Sequence, residues 1–260
     1  MGAEKISVIT ISYNSENTIE RTFQSVLTQS YRPLEYVLVD GGSKDGTIAL
    51  IEKYIPQFEA VGINVNFKSE PDKGISDAFN KGILRASGDI IGIINSDDEL
   101  ALNALDKVCE AFQENTGVVC GDCLWIDEAH GLKYVRKSKI NQLSKIKYEM
   151  VLMHPTCFVR KAVYEKYGTF DVNLKLVMDK DLMARFYKEN VKFTYIPEII
   201  AIMTAGGVSD SNIERVFEEG KIVALRNGGV AWYVNLRFKY KEVRMRVVQK
   251  LRRKGFFNKR

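Results

Sequence analysis

Four times in the first hundred residues, a short run of β-branched and apolar residues leads through a polar cluster into a helical stretch. Ile6 to Ile11 is the first such run, and Ser15 to Gln29 follows with Ile19, Phe23, Val26 and Leu27 at helical spacing. Asn14 or Ser15 is placed to cap that helix. Leu34 to Val39 is the second strand, with a helix over Thr47 to Tyr54; Ile63 to Phe67 is the third, with a helix over Ile75 to Arg85. Asp89 to Ile94 is the fourth. Strands separated by helical segments require crossover connections, which are right-handed and produce a parallel sheet covered on both faces. Ligands of such sheets bind beyond the carboxyl ends of the strands. Tyr13-Asn14, Asp40-Gly41-Gly42-Ser43 and Asn95-Ser96-Asp97-Asp98 all fall at those ends.

The second half is less regular. It predicts a helix over Leu100 to Gln113, strands over Val118 to Asp122 and Leu132 to Val135, and an extended His154 to Val159. A short helix over Lys161 to Tyr167 and a helix over Asp179 to Glu189 follow. Lys192 to Ile196 and Ile199 to Met203 are strands, and Ile213 to Arg226 is a helix. The expected whole is an α/β fold whose C-terminal half completes a mixed sheet. At 260 residues with 45% apolar and 27% charged side chains, the chain can bury a core without disulfides, and disorder is excluded as a description of the whole.

The net charge of +5 conceals an uneven distribution: residues 237–260 hold eleven Lys/Arg against Glu242 alone, leaving 27 bases and 32 acids in residues 1–236. Trp232, Tyr233, Leu236, Phe238, Val243, Val247, Val248 and Leu251 interleave with these bases, the pattern of a basic amphipathic helix. It suits an anionic membrane surface over residues 232–260, a nucleic acid, or a solvated helix. Residues 1–230 and 231–260 accordingly divide into a mildly acidic main body and a basic segment. No apolar run approaches the ~18–20 residues of a membrane span, and no signal-peptide or myristoylation pattern opens the sequence, so a cytoplasmic protein is expected. Cys120 and Cys123 have CxxC spacing without a second such pair; buried structural thiols are favoured over a metal or redox role.

The aspartates carry the chemistry. Adjacent carboxylates at Asp97 and Asp98 repel unless a cation neutralises them, and a hard divalent ion shared with phosphate oxygens needs only one or two protein carboxylates. Alternatively, Asp98 and Glu99 cap the next helix. Asp40 before two glycines suits either a turn or a ribose or base contact, and Glu70 to Gly74 is a turn first and a ligand loop second. Asp179 suits an N-cap, and His154 before Pro155 suits packing as well as ligand contact.

Taken in order, Thr10-Ile11-Ser12-Tyr13-Asn14, Asp40 to Thr47, Asn95-Ser96-Asp97-Asp98, His154-Pro155, Gly168 to Asp171, Met178 to Asp181 and Gly206-Gly207-Val208-Ser209 resemble the family 2 glycosyltransferases of GT-A fold, over about residues 5 to 210. The stretch from Asp72 to Ile83 is similar to a bacterial subgroup acting on O-antigen and exopolysaccharide.

The resemblance implies a Rossmann-like nucleotide-sugar-binding sandwich with a mixed, mostly parallel sheet, catalysing inverting transfer from a nucleoside diphosphate sugar, a UDP-sugar in first place. The implied acceptor is a glycan or a polyprenyl-diphosphate-linked sugar, at the inner face of a cell membrane and without nucleic acid. Thr10 and Tyr13 would line the nucleotide pocket, Asp40 bind base or ribose, and Asp72 and Lys73 lie near uracil or pyrophosphate. Asn95, Ser96 and Asp97 occupy the DXD position, with Asp97 holding Mg²⁺ or Mn²⁺; Asn95 stands where the first Asp is usual. Asp179 would be the base, with Met178 in place of the customary Glu and Asp181 as fallback, and His154 would contact diphosphate or acceptor. The loop at Gly206 to Ser209 would close over the diphosphate or serve as a turn. These departures at Asn95 and Met178 also admit a nucleotide-sugar-binding protein without catalysis, and the tail admits a nucleic-acid binder.

Overall fold

The computed structural model describes residues 4–206 and 212–253. Nine strands form one sheet: β1 (Ile6–Ser12), β2 (Leu34–Asp40), β3 (Ile63–Ser69), β4 (Ile90–Ile93), β5 (Asp98–Leu100), β6 (Thr116–Asp127), β7 (Leu132–Arg136), β8 (Phe158–Arg160) and β9 (Lys192–Thr204). Their spatial order is β3-β2-β1-β4-β8-β6-β9-β5, with β7 hydrogen-bonded to β6 as a hairpin. β3, β2, β1, β4, β6 and β9 point one way and β5, β7 and β8 run against them, so the sheet is mixed and mostly parallel, as expected.

Both faces are covered. Every residue of β2 is buried, as are all but Ile11 of β1, the pattern of strands sandwiched between helices. On one face Ile6, Val8, Tyr36 and Leu38 pack against α1 (Ile19–Leu27), α2 (Thr47–Ala60) and α4 (Ala104–Ala111), through Phe23, Phe58 and Leu105. On the other, Ile9, Val37 and Ile91 meet α3 (Ile75–Arg85), α5 (Lys161–Tyr167) and α6 (Met178–Lys188), through Phe79, Tyr164 and Leu182. Two C-terminal helices, α7 (Ile213–Arg226) and α8 (Ala231–Arg253), pack together through Ala224, Val234 and Phe238.

Gly92 shows how tightly the sheet centre is filled. It pairs with Phe158 of β8, and a Cβ there would come 2.2 Å from the Phe158 ring. Gly92→Ala is expected to cost about 1–3 kcal/mol by overpacking, read as a lower urea midpoint at unchanged slope; an unmoved midpoint would show the ring has room to shift.

Several elements differ from their sequence-based expectation. Leu100 belongs to β5, and the helix starts only at Ala104, so Asp98 and Glu99 are strand residues and cap nothing. The two strands expected over 192–203 are one continuous β9, and β6 runs through Cys120 and Cys123 to Asp127 instead of turning there. Burial pushes both thiols up to about 12, which suits structural cysteines. The first helix begins at Ile19 behind Thr18, so neither Asn14 nor Ser15 is its N-cap, although the Ser15 carbonyl accepts the N–H groups of Thr18 and Ile19.

Candidate functional site

Four loops meet at the carboxyl ends of β1 to β4. Asn14 adopts a left-handed conformation (φ 50°), which turns the loop after β1 towards that after β2. The Asn14 N–H donates to Ser43 Oγ at 2.9 Å and its side-chain oxygen accepts from the Lys44 N–H at 2.8 Å. Ser15 extends the contact to the fourth loop, its hydroxyl lying 2.8 Å from that of Ser96.

Asp40 ties this rim together from below. Its carboxylate is fully buried and accepts from Ser12 Oγ (3.0 Å), the N–H groups of Gly42 and Ser43 (both 2.9 Å), Ser43 Oγ and Ser69 Oγ (2.7 Å). Burial alone would raise its pKa, but these donors, Ser43 and Ser69 foremost, outweigh it and hold the carboxyl below the usual range. Asp40, expected at base or ribose, thus has both oxygens engaged within the protein. Thr10, expected in the nucleotide pocket, is buried, with its hydroxyl 3.0 Å from the Tyr36 hydroxyl.

Other expected residues do come together here. A Cβ built on Gly41 would lie 2.4 Å from Asp72 Oδ2 and 3.4 Å from the Tyr13 ring, so only glycine lets the Asp72 carboxylate close on the backbone at this point. Tyr13 is 62% exposed, and Asp72 is half-buried with its other oxygen accepting the Gly74 N–H at 2.7 Å. Lys73 is exposed; its carbonyl accepts from Lys175 Nζ at 2.8 Å.

The loop after β4, joined to the first loop through Ser15 and Ser96, carries the carboxylate pair. Asp97 is half-buried, and burial pushes its carboxyl above the usual range, with Arg21 opposing. Asp98 is 2% exposed; burial, reinforced by the neighbouring Asp97 charge, pushes it up to about 8. The Asn95 amide, 3.0 Å from Asp98 Oδ2, opposes the shift only in part. Among the described residues no group of three or more His, Cys, Asp or Glu is arranged to hold a metal alone. Two under-compensated carboxylates at an open rim nonetheless suit a hard cation that completes its shell with ligand oxygens. Asp98 is the member of this pair that sequence reasoning assigned to capping; its adjacency to Asp97 was the available signal.

The opposite wall comes from the second half of the chain. Ser76 Oγ donates to the Leu174 carbonyl (2.8 Å), and Asn80 exchanges bonds with the backbone of Phe170, which docks the 170–176 segment on α3. His154 sits in a 3-10 turn against the adjoining rings of Phe79 and Phe170, 5.8 and 5.7 Å away. Burial lowers its pKa against the pull of Asp179, so the ring is neutral at pH 7. Asp179 lies in the first turn of α6, half-buried, its carboxylate accepting the Lys180 N–H at 2.7 Å; the N-cap itself is Val177. Asp181 faces elsewhere. It is fully buried and bound by Arg226 Nε (2.7 Å), Arg185 Nε (3.1 Å) and Asn227 (3.1 Å), which disposes of it as the alternative base.

Two expectations fall partly outside the described residues. Gly207, Val208 and Ser209 lie outside them, whereas Gly206 is present at φ 112°. In α8, Val234 and Phe238 face α7, while Trp232, Leu236, Tyr240 and Val243 recur at helical spacing and are each more than half exposed. Lys239 and Arg244 are exposed beside them; 254–260 lie outside the described residues. No described helix is long and apolar enough to cross a membrane.

The family model described as glycosyl transferase family 2 matches residues 7–168. An uncharacterized glycosyltransferase of Mycobacterium tuberculosis strain H37Rv is 32% identical over 188 residues, covering 70% of this chain and 69% of its own. A PGL/p-HBAD biosynthesis glycosyltransferase of Mycobacterium bovis is 23% identical over 220 residues, 84% of each chain. Among solved structures, S. aureus TarS 1–349 in complex with UDP-GlcNAc superposes with a TM-score of 0.67 at 20% identity, over 90% of this chain and 70% of that one. The mannosyltransferase PcManGT of Pyrobaculum calidifontis, in complex with GDP-Man and Mn²⁺, gives 0.67 at 17% identity, over 90% and 69%. At these identities the likeness establishes the GT-A-like fold.

Proposed function

The chain belongs to glycosyl transferase family 2, and on that premise we propose that it moves a sugar from a UDP-sugar to a glycan or lipid-linked acceptor, with inversion, in the assembly of a bacterial cell-surface polysaccharide. The observation that carries this reading is the Asp97–Asp98 pair, under-compensated at the strand ends. Tyr13 offers an exposed ring face, and Asp72, packed over Gly41, an acceptor for a base N–H. Lys73 and Ser96 flank the diphosphate path. The side-chain oxygen of Asn95 serves the ribose, since its amide nitrogen is engaged by Asp98.

A divalent cation, Mg²⁺ or Mn²⁺, when held by Asp97 and Asp98, neutralises charge on the departing diphosphate. Mn²⁺ accompanies GDP-Man in the PcManGT structure, which supports such an ion here. The chain's own residues do the rest. Asp179 takes the proton from the acceptor hydroxyl as its oxygen bonds to the anomeric carbon and the bond to UDP breaks. His154, neutral against two rings, shapes the acceptor wall beside it. The stripe of Trp232, Leu236, Tyr240 and Val243, with Lys239 and Arg244, lies on an anionic bilayer and brings the body to a lipid-linked acceptor.

Two assays test this on the full chain. With Mn²⁺ and radiolabelled UDP-sugars, transfer to a bacterial lipid extract with inverted configuration is expected. Donor binding without transfer or donor hydrolysis would support a non-catalytic binder instead. Flotation with phosphatidylglycerol vesicles but not phosphatidylcholine vesicles is expected, weakening with salt; equal flotation, or binding to RNA alone, would remove the membrane role.

A further inference from the structure

Glu219, on α7, is a buried carboxylate that the proposed chemistry leaves unused. It reaches across to the segment that opens α6. Oε1 accepts from the Lys175 N–H (3.0 Å) and from Arg215 Nε (2.8 Å). Oε2 accepts from the N–H groups of Leu176 (2.9 Å), Val177 (3.3 Å) and Lys175 (3.1 Å). These donors outweigh burial and hold its carboxyl below the usual range, so it is ionised at neutral pH.

Val177, at the N-cap of α6, has no side-chain oxygen, and the approach to the helix is fixed instead by a carboxylate from another helix, which receives the N–H of Val177 and those of the two residues before it. The next residue of α7 holds the other flank. The Gly220 carbonyl lies 3.3 Å from Nζ of the buried Lys180, and a Cβ on Gly220 would come 2.8 Å from Phe238 and 3.3 Å from that ammonium. One turn of α7 therefore grips the residues before and after Asp179. Among the described residues, the Asp179 side chain itself makes a single hydrogen bond, to the N–H of the residue that follows it. Its placement therefore depends on its backbone.

We infer that Glu219 is a positioning residue for Asp179, fixing the first turn of α6 so that the base meets the acceptor hydroxyl at bonding distance. This rests on Asp179 being the base. Glu219 touches no substrate; it acts through the backbone of residues 175–177. Because Lys175 also bonds the Lys73 carbonyl, the same clamp keeps that turn in register with the loop after β3.

The test is a double-variant cycle on the full chain under transfer conditions. Glu219→Gln is expected to lower kcat about 10- to 100-fold, as a small misplacement of a reacting group does, with the donor KM changed by less than about threefold. In the Asp179→Asn background the same change is expected to cost almost nothing further, since the group it positions has lost its function. A kcat unchanged in Glu219→Gln, or a full additional loss in the double variant, would overturn the inference while leaving Asp179 as base. Undiminished turnover in Asp179→Asn alone would instead remove the base assignment, and Glu219's role with it. Should Glu219→Gln fail to fold, Glu219→Asp, which keeps the charge and shortens the reach, is expected to show the same split between kcat and KM; a normal kcat there would count against the clamp.

Discussion

Asp179→Asn is expected to lower kcat by about 10²- to 10⁴-fold while donor affinity survives. The split is expected because Asp179 stands on the wall built from the second half of the chain, beside His154, whereas Tyr13, Asp72 and Asp97 belong to the loops after β1, β3 and β4. Removing the acceptor of a proton leaves the donor's partners intact. Asn preserves shape and the bond from the Lys180 N–H, so the fold is not disturbed. Single-turnover rates together with UDP-sugar calorimetry check the result. Asp181→Asn is expected to behave oppositely: it strips the partner from two arginines in a buried site, so stability falls, by about 3–5 kcal/mol for a broken buried pair, while any rate loss follows unfolding.

Asp97→Ala is expected to abolish the dependence of donor binding on Mn²⁺, the second large effect. The sign of its pH dependence follows from the raised carboxyls. With Asp98 pushed up to about 8, the metal-free site holds a proton at pH 7 that the cation must displace. Apparent Mn²⁺ affinity in the unmutated chain therefore climbs as pH rises towards 8, with protons released on binding. Stability without metal moves the other way. A carboxyl raised in the folded state favours that state fully below its unfolded value near 4, and the contribution is lost as pH rises through about 8. Added Mn²⁺ should thus raise Tm more at pH 8 than at pH 6. A UDP affinity indifferent to Mn²⁺ across that range would contradict the role of both aspartates.

Much of the N-terminal half was legible because parallel strands advertise themselves. β1 to β4 are short, apolar and separated by helices of the right length, and their polar ends mark the rim. The direction in which a polar side chain points was less visible. Thr10 lies two and four residues beyond Val8 and Ile6 on the helix-covered face, so strand alternation alone turns it inward; the motif around it drew attention away from that period. Asp40 carries no mark distinguishing a ligand contact from a hub, because two of the serines it binds, Ser12 and Ser69, end strands that are distant in sequence. β5 went unseen, since three residues are too few for a period to appear and its last residue, Leu100, reads equally well as the start of the following helix. Glu219 was invisible for another reason: it serves backbone N–H groups more than forty residues away, and backbone donors leave no trace in sequence.

The central claim is that a diphosphate sugar seats at this rim, bridged by a cation to the Asp97–Asp98 pair and faced by Asp179. A crystal structure of the full chain soaked with UDP and Mn²⁺ tests it most directly. The expected result is Mn²⁺ at about 2.0–2.3 Å from an oxygen of Asp97 or Asp98 and from the diphosphate, with uracil beside Tyr13 and the Asp179 carboxylate facing the β-phosphate across the cleft. Nucleotide bound elsewhere, or seated at the rim with the cation on other residues and Asp179 turned away, would contradict it.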